Sequence, residues 1–162
     1  MKVTIIIPCY NESDFIEKIL DKINSQTNIS KEIIVINDGS NEKTTNILNE
    51  CLSKNKINIL LNHDYNKGKG EALKTGLSKA TGEIVIFQDS DLEYDPEDYN
   101  KLIDPIISDK ADIVYGSRFL GNEKGQRILY YWHRVGNFLL TTLTNILTNI
   151  NFTDMETGYK AF

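Results

Sequence analysis

The chain has 162 residues, 40% of them hydrophobic and 25% charged, which fits one globular domain with a real core and not comfortably two. A formal net charge of −5 argues against a general nucleic-acid binder, which would carry a basic surface. No stretch approaches the roughly 20 apolar residues of a membrane span, and the opening apolar run is too short for a signal peptide. The only cysteines, Cys9 and Cys51, lack metal-ligand spacing, so a reducing, cytoplasmic setting is expected, with a single disulfide as the alternative.

Strands and helices alternate along the chain. Val3 to Ile7 is β-branched and ends at Pro8, which reads as a buried strand. Ile16, Ile19, Leu20 and Ile23 recur at helical spacing, with Ser13 or Asn11 as the expected cap. Glu32 to Ile36 reads as a second strand, ending in the turn-prone Asn37-Asp38-Gly39-Ser40. A helix through Ile47, Leu48 and Cys51 follows, then a strand from Ile57 to Leu61 and a helix from Gly70 to Ala80 closed by Thr81-Gly82. Ile84 to Phe87 is a fourth strand. Pro96 starts a helix carrying Leu102, Ile103, Ile106 and Ile107, and Ile113 to Tyr115 is a fifth strand. Continuous apolar strands separated by helices predict an α/β fold: a mostly parallel, Rossmann-like sheet covered on both faces. Ligands of such sheets bind beyond the carboxyl ends of the strands.

The residues after each strand are therefore the ones to weigh. Asp89-Ser90-Asp91 follows the fourth strand directly. A turn there can bring both carboxylates toward one hard cation, magnesium or manganese, with Glu93 as a further ligand. The competing reading is a solvated acidic loop, extended by Asp95, Glu97 and Asp98; the position after a buried strand favours the metal. Pro8-Cys9-Tyr10-Asn11-Glu12 and Asp38-Gly39-Ser40 end the first two strands. Tyr10 can stack on a base, and Glu12 and Asp38 can accept hydrogen bonds from base or ribose. Taken singly, each reads more simply as capping and turn formation. Asn66-Lys67-Gly68-Lys69-Gly70 leaves an open backbone before a helix, which suits an anion, but it matches neither the dinucleotide fingerprint nor a phosphate loop. Arg118, Lys124, Arg127 and Arg134 form a basic patch in an acidic chain; arginine forks suit phosphate, and surface ion pairs are the plainer reading. His63 reads as structural or exposed, and neither cysteine has a base partner for covalent catalysis. Val135 to Thr153 is uncharged, with Leu139, Leu140, Leu143, Ile146, Leu147 and Ile150 on one helical face. Packing of that face on the core is the favoured reading; contact with a membrane, or with a segment beyond Phe162, is the other.

In this order the motifs resemble glycosyltransferase family 2, with the A-type nucleotide-sugar fold, over essentially the whole chain from Pro8-Cys9-Tyr10-Asn11-Glu12 to the segment Asp154 to Phe162. The likeness is greatest to the polyprenyl-phosphate branch, the dolichol-phosphate mannose synthases and their glucosyl relatives. The resemblance implies one catalytic domain over 1–162, shortened at its C-terminal end, that moves a sugar from UDP or GDP to an acceptor with inversion. It implies that Pro8, Tyr10, Glu12 and Asp38 hold the nucleoside, and that Asp89, Ser90, Asp91 and Lys69 meet the diphosphate. Magnesium or manganese would sit at Asp89 and Asp91, with Glu93 where relatives often carry glutamine. Arg118 and Arg134 would face phosphates of donor or lipid acceptor. A polyprenyl phosphate needs no base, because its second pKa is about 6. A sugar hydroxyl, the acceptor of a glycan-extending enzyme, needs one, and Asp154 is the candidate. The basic patch favours the lipid phosphate and a peripheral position at the membrane. A nucleotidyltransferase and a non-catalytic nucleotide-binding module are the other readings of the same residues.

Overall fold

The computed structural model describes residues 1–117 and 131–162. A strand with the apolar run Ile5-Ile6-Ile7 and no alternation between core and solvent must be covered on both faces, so β1 (Val3–Cys9) lies at the centre of the sheet, flanked by β2 (Lys31–Asp38) and β4 (Ile84–Phe87). β3 (Ile59–His63) adds outside β2, and all three pairings are parallel. Two short strands, β5 (Val114–Tyr115) and β6 (Lys160–Ala161), complete the order β3-β2-β1-β4-β6-β5, with β6 antiparallel to both neighbours. The sheet is thus mostly parallel, as the continuous apolar strands separated by helices predict. Chain order reverses between β1 and β4, which opens a crevice at their carboxyl ends.

Helices cover both faces. α1 (Ile16–Ser25) buries Ile16, Ile19, Leu20 and Ile23; α2 (Glu42–Ser53) adds Leu48 and Cys51, and α4 (Tyr99–Ile107) adds Tyr99, Leu102 and Ile103. α3 (Lys69–Leu77) packs Ala72 against Ile6, Ile34 and Ile36 on the opposite face. α2 is capped by Asn41, whose side chain accepts from Thr44 N at 2.9 Å. Both cysteines are free and buried.

Several local expectations change. β1 runs on through Pro8 to Cys9. Ile6 offers its carbonyl to Gln88 N on the β4 side, so Pro8 faces that side too, and pairing with β4 ends at Ile6; the missing N–H has no ladder partner to lose there. Neither Ser13 nor Asn11 caps α1. The Glu12 carbonyl accepts from Phe15 N and Ile16 N, while Asn11, at φ 59°, ties two loops together by accepting from Asn41 N at 2.8 Å. α3 stops at Leu77 rather than Ala80, and Gly82 N then reaches Thr4 Oγ1 at 2.8 Å.

The largest change is α5 (Tyr131–Thr148). Its apolar side chains face outward, with Ile146 and Leu147 73% and 75% exposed, while Asn137 and Thr141 are buried. The polar face is inside because the 152–156 segment beneath it needs partners. Asn137 Nδ2 donates to Asp154 Oδ1 at 2.8 Å, Met155 N donates to Thr141 Oγ1, and Asn145 bonds both backbone groups of Phe152. No helix among the described residues is long and apolar enough to cross a membrane.

Candidate functional site

The crevice between β1 and β4 is a cleft of about 440 Å³. Pro8, Tyr10 and Glu12 enter it from the end of β1, Asp38 from β2, Lys69 from the start of α3, and Asp89, Ser90 and Asp91 from the loop after β4. Cys9, Asn66 and Gly68 complete the lining. Residues up to 83 positions apart meet here because parallel strands deliver their carboxyl ends to one edge.

The acidic loop is held from below. Gln88 is fully buried; its Nε2 donates to the carbonyls of Asp89 and Tyr94, and its Oε1 accepts from Tyr99 Oη at 3.0 Å. Tyr94 stacks on Tyr159 with ring centres 5.0 Å apart and accepts from Gly158 N at 2.9 Å. Gly158 therefore passes directly over Asp89, and a Cβ there would collide with Asp89 Oδ2. Asp91 Oδ1 accepts from Glu93 N at 3.0 Å, a turn that points the chain back on itself. Lys69 Nζ sits 2.5 Å from Asp89 Oδ1. Negative charge dominates the other wall: burial, then the charges of Asp91 and Asp14, push the Glu12 carboxyl up from its ordinary value.

Asp38 is almost fully buried. Its Oδ1 accepts from His63 Nδ1 at 2.6 Å and Lys67 N at 2.9 Å, and its Oδ2 from Gly68 N at 2.9 Å. Burial raises its pKa, and these three hydrogen bonds more than offset that, so the group stays below the usual carboxylate range. The neighbouring Gly39, at φ 69°, lies so close to the backbone of Tyr65 that no side chain fits. Cys9 is pushed up to about 12, by burial first, and its thiol is no nucleophile.

Three expected residues stand apart from the cleft lining. Glu93 contributes its backbone N–H to Asp91, and its side chain does not line the cleft. Arg134 is exposed in the first turn of α5, and Asp154 is buried under that helix. Arg118, Lys124, Arg127 and the loop 121–127 lie outside the described residues. Among the described residues no three His, Cys, Asp or Glu side chains are grouped to hold a metal on their own. The donor set still fits a hard cation: Asp89 and Asp91 offer oxygens to a solvent-open cleft, and magnesium or manganese held by one or two carboxylates completes its shell with substrate phosphates. Sequence reasoning missed His63, whose partner is 25 residues away, and Lys160. Lys160 pairs with Phe87, the last residue of β4, which sets it near the same carboxyl edge, and its ammonium is lowered by burial first and then by Lys69.

The family model described as glycosyl transferase family 2 matches residues 4–162. The chain is 34% identical to the UDP-N-acetylglucosamine–dolichyl-phosphate N-acetylglucosaminyltransferase of Methanococcus voltae, over 99% of this chain and 68% of that one. Among solved structures, a mannosyltransferase of Pyrobaculum calidifontis in complex with GDP-Man and Mn2+ is 34% identical, with a TM-score of 0.51 over 55% of this chain and 27% of that one. The glucosyl-3-phosphoglycerate synthase of Mycobacterium tuberculosis shares the fold at a TM-score of 0.70 and 23% identity, over 99% of this chain and 55% of that one. Three other curated relatives are matched over only 19%, 37% and 53% of their own length.

Proposed function

The chain belongs to glycosyl transferase family 2, and from that premise we propose that it transfers a sugar, with inversion, from a UDP- or GDP-sugar to a polyprenyl phosphate. The observation that carries this is the cleft at the β1/β4 reversal, where Asp89, Asp91 and Lys69 face the place a diphosphate would occupy. Tyr10, half exposed at the rim, stacks on the base, and Glu12 and Asp38 line the nucleoside end with Pro8. Lys69 releases Asp89 and turns to the diphosphate. Asp89 and Asp91 would hold magnesium or manganese, and such a cation would supply neutralisation of the charge growing on the leaving group. The Mn2+ complex of the Pyrobaculum mannosyltransferase supports the cation. Gly158 matters to this arrangement: Gly158→Ala is expected to displace the Asp89 carboxylate and lower turnover about tenfold or more. The added Cβ would also come within 3.2 Å of Cε2 of the buried Tyr94 ring, so a small fall in melting temperature is expected beside the larger loss of turnover.

The acceptor reading rests on α5. Its outward face exposes Phe138, Leu139, Leu143, Ile146 and Leu147, and Tyr131, Trp132 and Arg134 stand exposed at its first turn. Such a helix suits the membrane interface, with the arginine at the level of phosphate. Dolichyl phosphate in the name of the Methanococcus relative supports the same class. A phosphate acceptor is already an anion and needs no base, consistent with Asp154 lying buried and hydrogen-bonded to Asn137. The test is incubation with UDP-glucose, UDP-N-acetylglucosamine or GDP-mannose, manganese and undecaprenyl or dolichyl phosphate, read by mass spectrometry of the lipid. Glycosylated lipid is expected. Arg134→Ala should impair that transfer, by the loss of about 2 kcal/mol of charge-assisted contact, and leave nucleotide affinity nearly intact. Transfer only to a sugar hydroxyl, abolished by Asp154→Ala, would overturn the lipid acceptor in favour of a glycan-extending enzyme.

A further inference from the structure

The nucleotide reading leaves His63 without a task. It is the last residue of β3 and stands at the same register as Asp38, the last residue of β2. Both side chains are nearly closed to solvent, at 6% and 4% exposure. A buried polar ring of this kind is stabilised only if both nitrogens are satisfied, and here they are: Nδ1 meets Asp38 Oδ1 at 2.6 Å and Nε2 meets Thr75 Oγ1 at 3.0 Å. An ionised carboxylate only accepts, so Nδ1 carries a proton toward Asp38, and Nε2 shares the second hydrogen bond with the Thr75 hydroxyl, which can donate or accept. The chain of bonds runs from α3 through β3 to β2.

Asp38 passes this order on. A carboxylate has about four acceptor positions. His63 and Lys67 N take two on Oδ1, and Gly68 N takes one on Oδ2. One position, on Oδ2, remains for a ligand in the cleft that Asp38 lines. Gly68, at φ 88°, is the residue from which α3 springs, and the next residue is Lys69. A rotation of the Asp38 carboxylate would therefore misalign its free acceptor and release the backbone that presents Lys69 to Asp89.

We propose that His63 is a positioning residue of the nucleotide site: its Nδ1–H locks the Asp38 carboxylate, which in turn clamps the Lys67–Gly68 backbone and aims Lys69 across the cleft. This rests on the nucleotide-sugar reading above. Two isosteric variants separate positioning from packing. Asn places its amide where Nδ1 was, toward Asp38; Gln places it where Nε2 was, toward Thr75. The measurements are calorimetric affinity for UDP and for GDP with manganese, hydrogen exchange of the Lys67 and Gly68 amides in the unliganded protein, and melting temperature. His63→Gln should bind nucleotide about tenfold more weakly or worse and exchange both amides at least about tenfold faster. His63→Asn should stay close to wild type in both. Equal behaviour of the two variants, whether both unaffected or both weakened in step with melting temperature, would overturn the positioning role. If wild type binds neither nucleotide while the amides still respond to Gln and not Asn, the clamp stands as a structural fact, and both the nucleotide reading and His63's role in it fail.

Discussion

Asp91→Ala is expected to abolish sugar transfer, lowering it by about a thousandfold or more, with the fold intact. Several kcal/mol of charge stabilisation on the leaving diphosphate would be lost, and each 1.4 kcal/mol is about tenfold in rate. The fold should survive because Asp91 is only partly buried and its one described hydrogen bond, from Glu93 N, closes a loop at the surface. Removing it also relieves Glu12, whose carboxyl is pushed up by burial and by the Asp91 charge. The check is turnover with saturating manganese beside a urea unfolding curve. Full activity in the variant, or in wild type with excess chelator, would remove the cation from the mechanism.

The expectation that function gathers at strand ends depends on little more than strand count and direction. Continuous apolar runs such as Ile5-Ile6-Ile7 and Ile33-Ile34-Val35-Ile36 announce a parallel sheet, and a parallel sheet puts its carboxyl ends on one edge. What sequence could not tell was which way a two-faced helix turns. The pattern in α5 separates Leu and Ile from Asn and Thr, and burial of the apolar side is the usual outcome. Here the polar side turns in, because Asp154, Met155 and Phe152 offer groups that would otherwise be buried without partners. β6 was invisible for a different reason. Two residues, Lys160 and Ala161, have no period, and they become a strand only by lying between Phe87 and Tyr115. His63 read as structural or exposed, and its pairing with Asp38 stayed hidden because that partner is set by register between strands, a long-range property that no local spacing reveals.

Glu32→Gln is expected to cost about 3 kcal/mol of stability at pH 7 and to leave nucleotide binding unchanged. Glu32 lies in β2, opposite Thr4 of β1, near the end of the sheet away from the cleft. It is 7% exposed, and four donors fill its two oxygens: Lys2 Nζ and Thr81 Oγ1 on Oε1, both at 2.8 Å, and Thr4 Oγ1 and Thr81 N on Oε2, at 2.8 and 3.0 Å. Burial alone would raise this carboxyl; the hydrogen bonds win and lower it from 4.5 to about 2. A group depressed on folding contributes stability that is complete above its unfolded value and is lost as pH falls toward its folded one. The window is therefore pH 4.5 down to about 2, and a shift of that size corresponds to about 3 kcal/mol. The share owed to Lys2, which is 42% exposed, is the most screened by salt. Glutamine keeps the volume, but whichever way its amide turns, the NH2 faces a group that can only donate, Lys2 Nζ on one side or Thr81 N on the other. On a chain of this length the melting temperature should fall by roughly 6–12 °C. Urea unfolding at descending pH gives the sharper test: the gap between wild type and variant should narrow between pH 4.5 and 2, as the wild-type carboxylate takes up its proton. A gap that stays constant across that range would mean that Glu32 acts through packing and not through its charge.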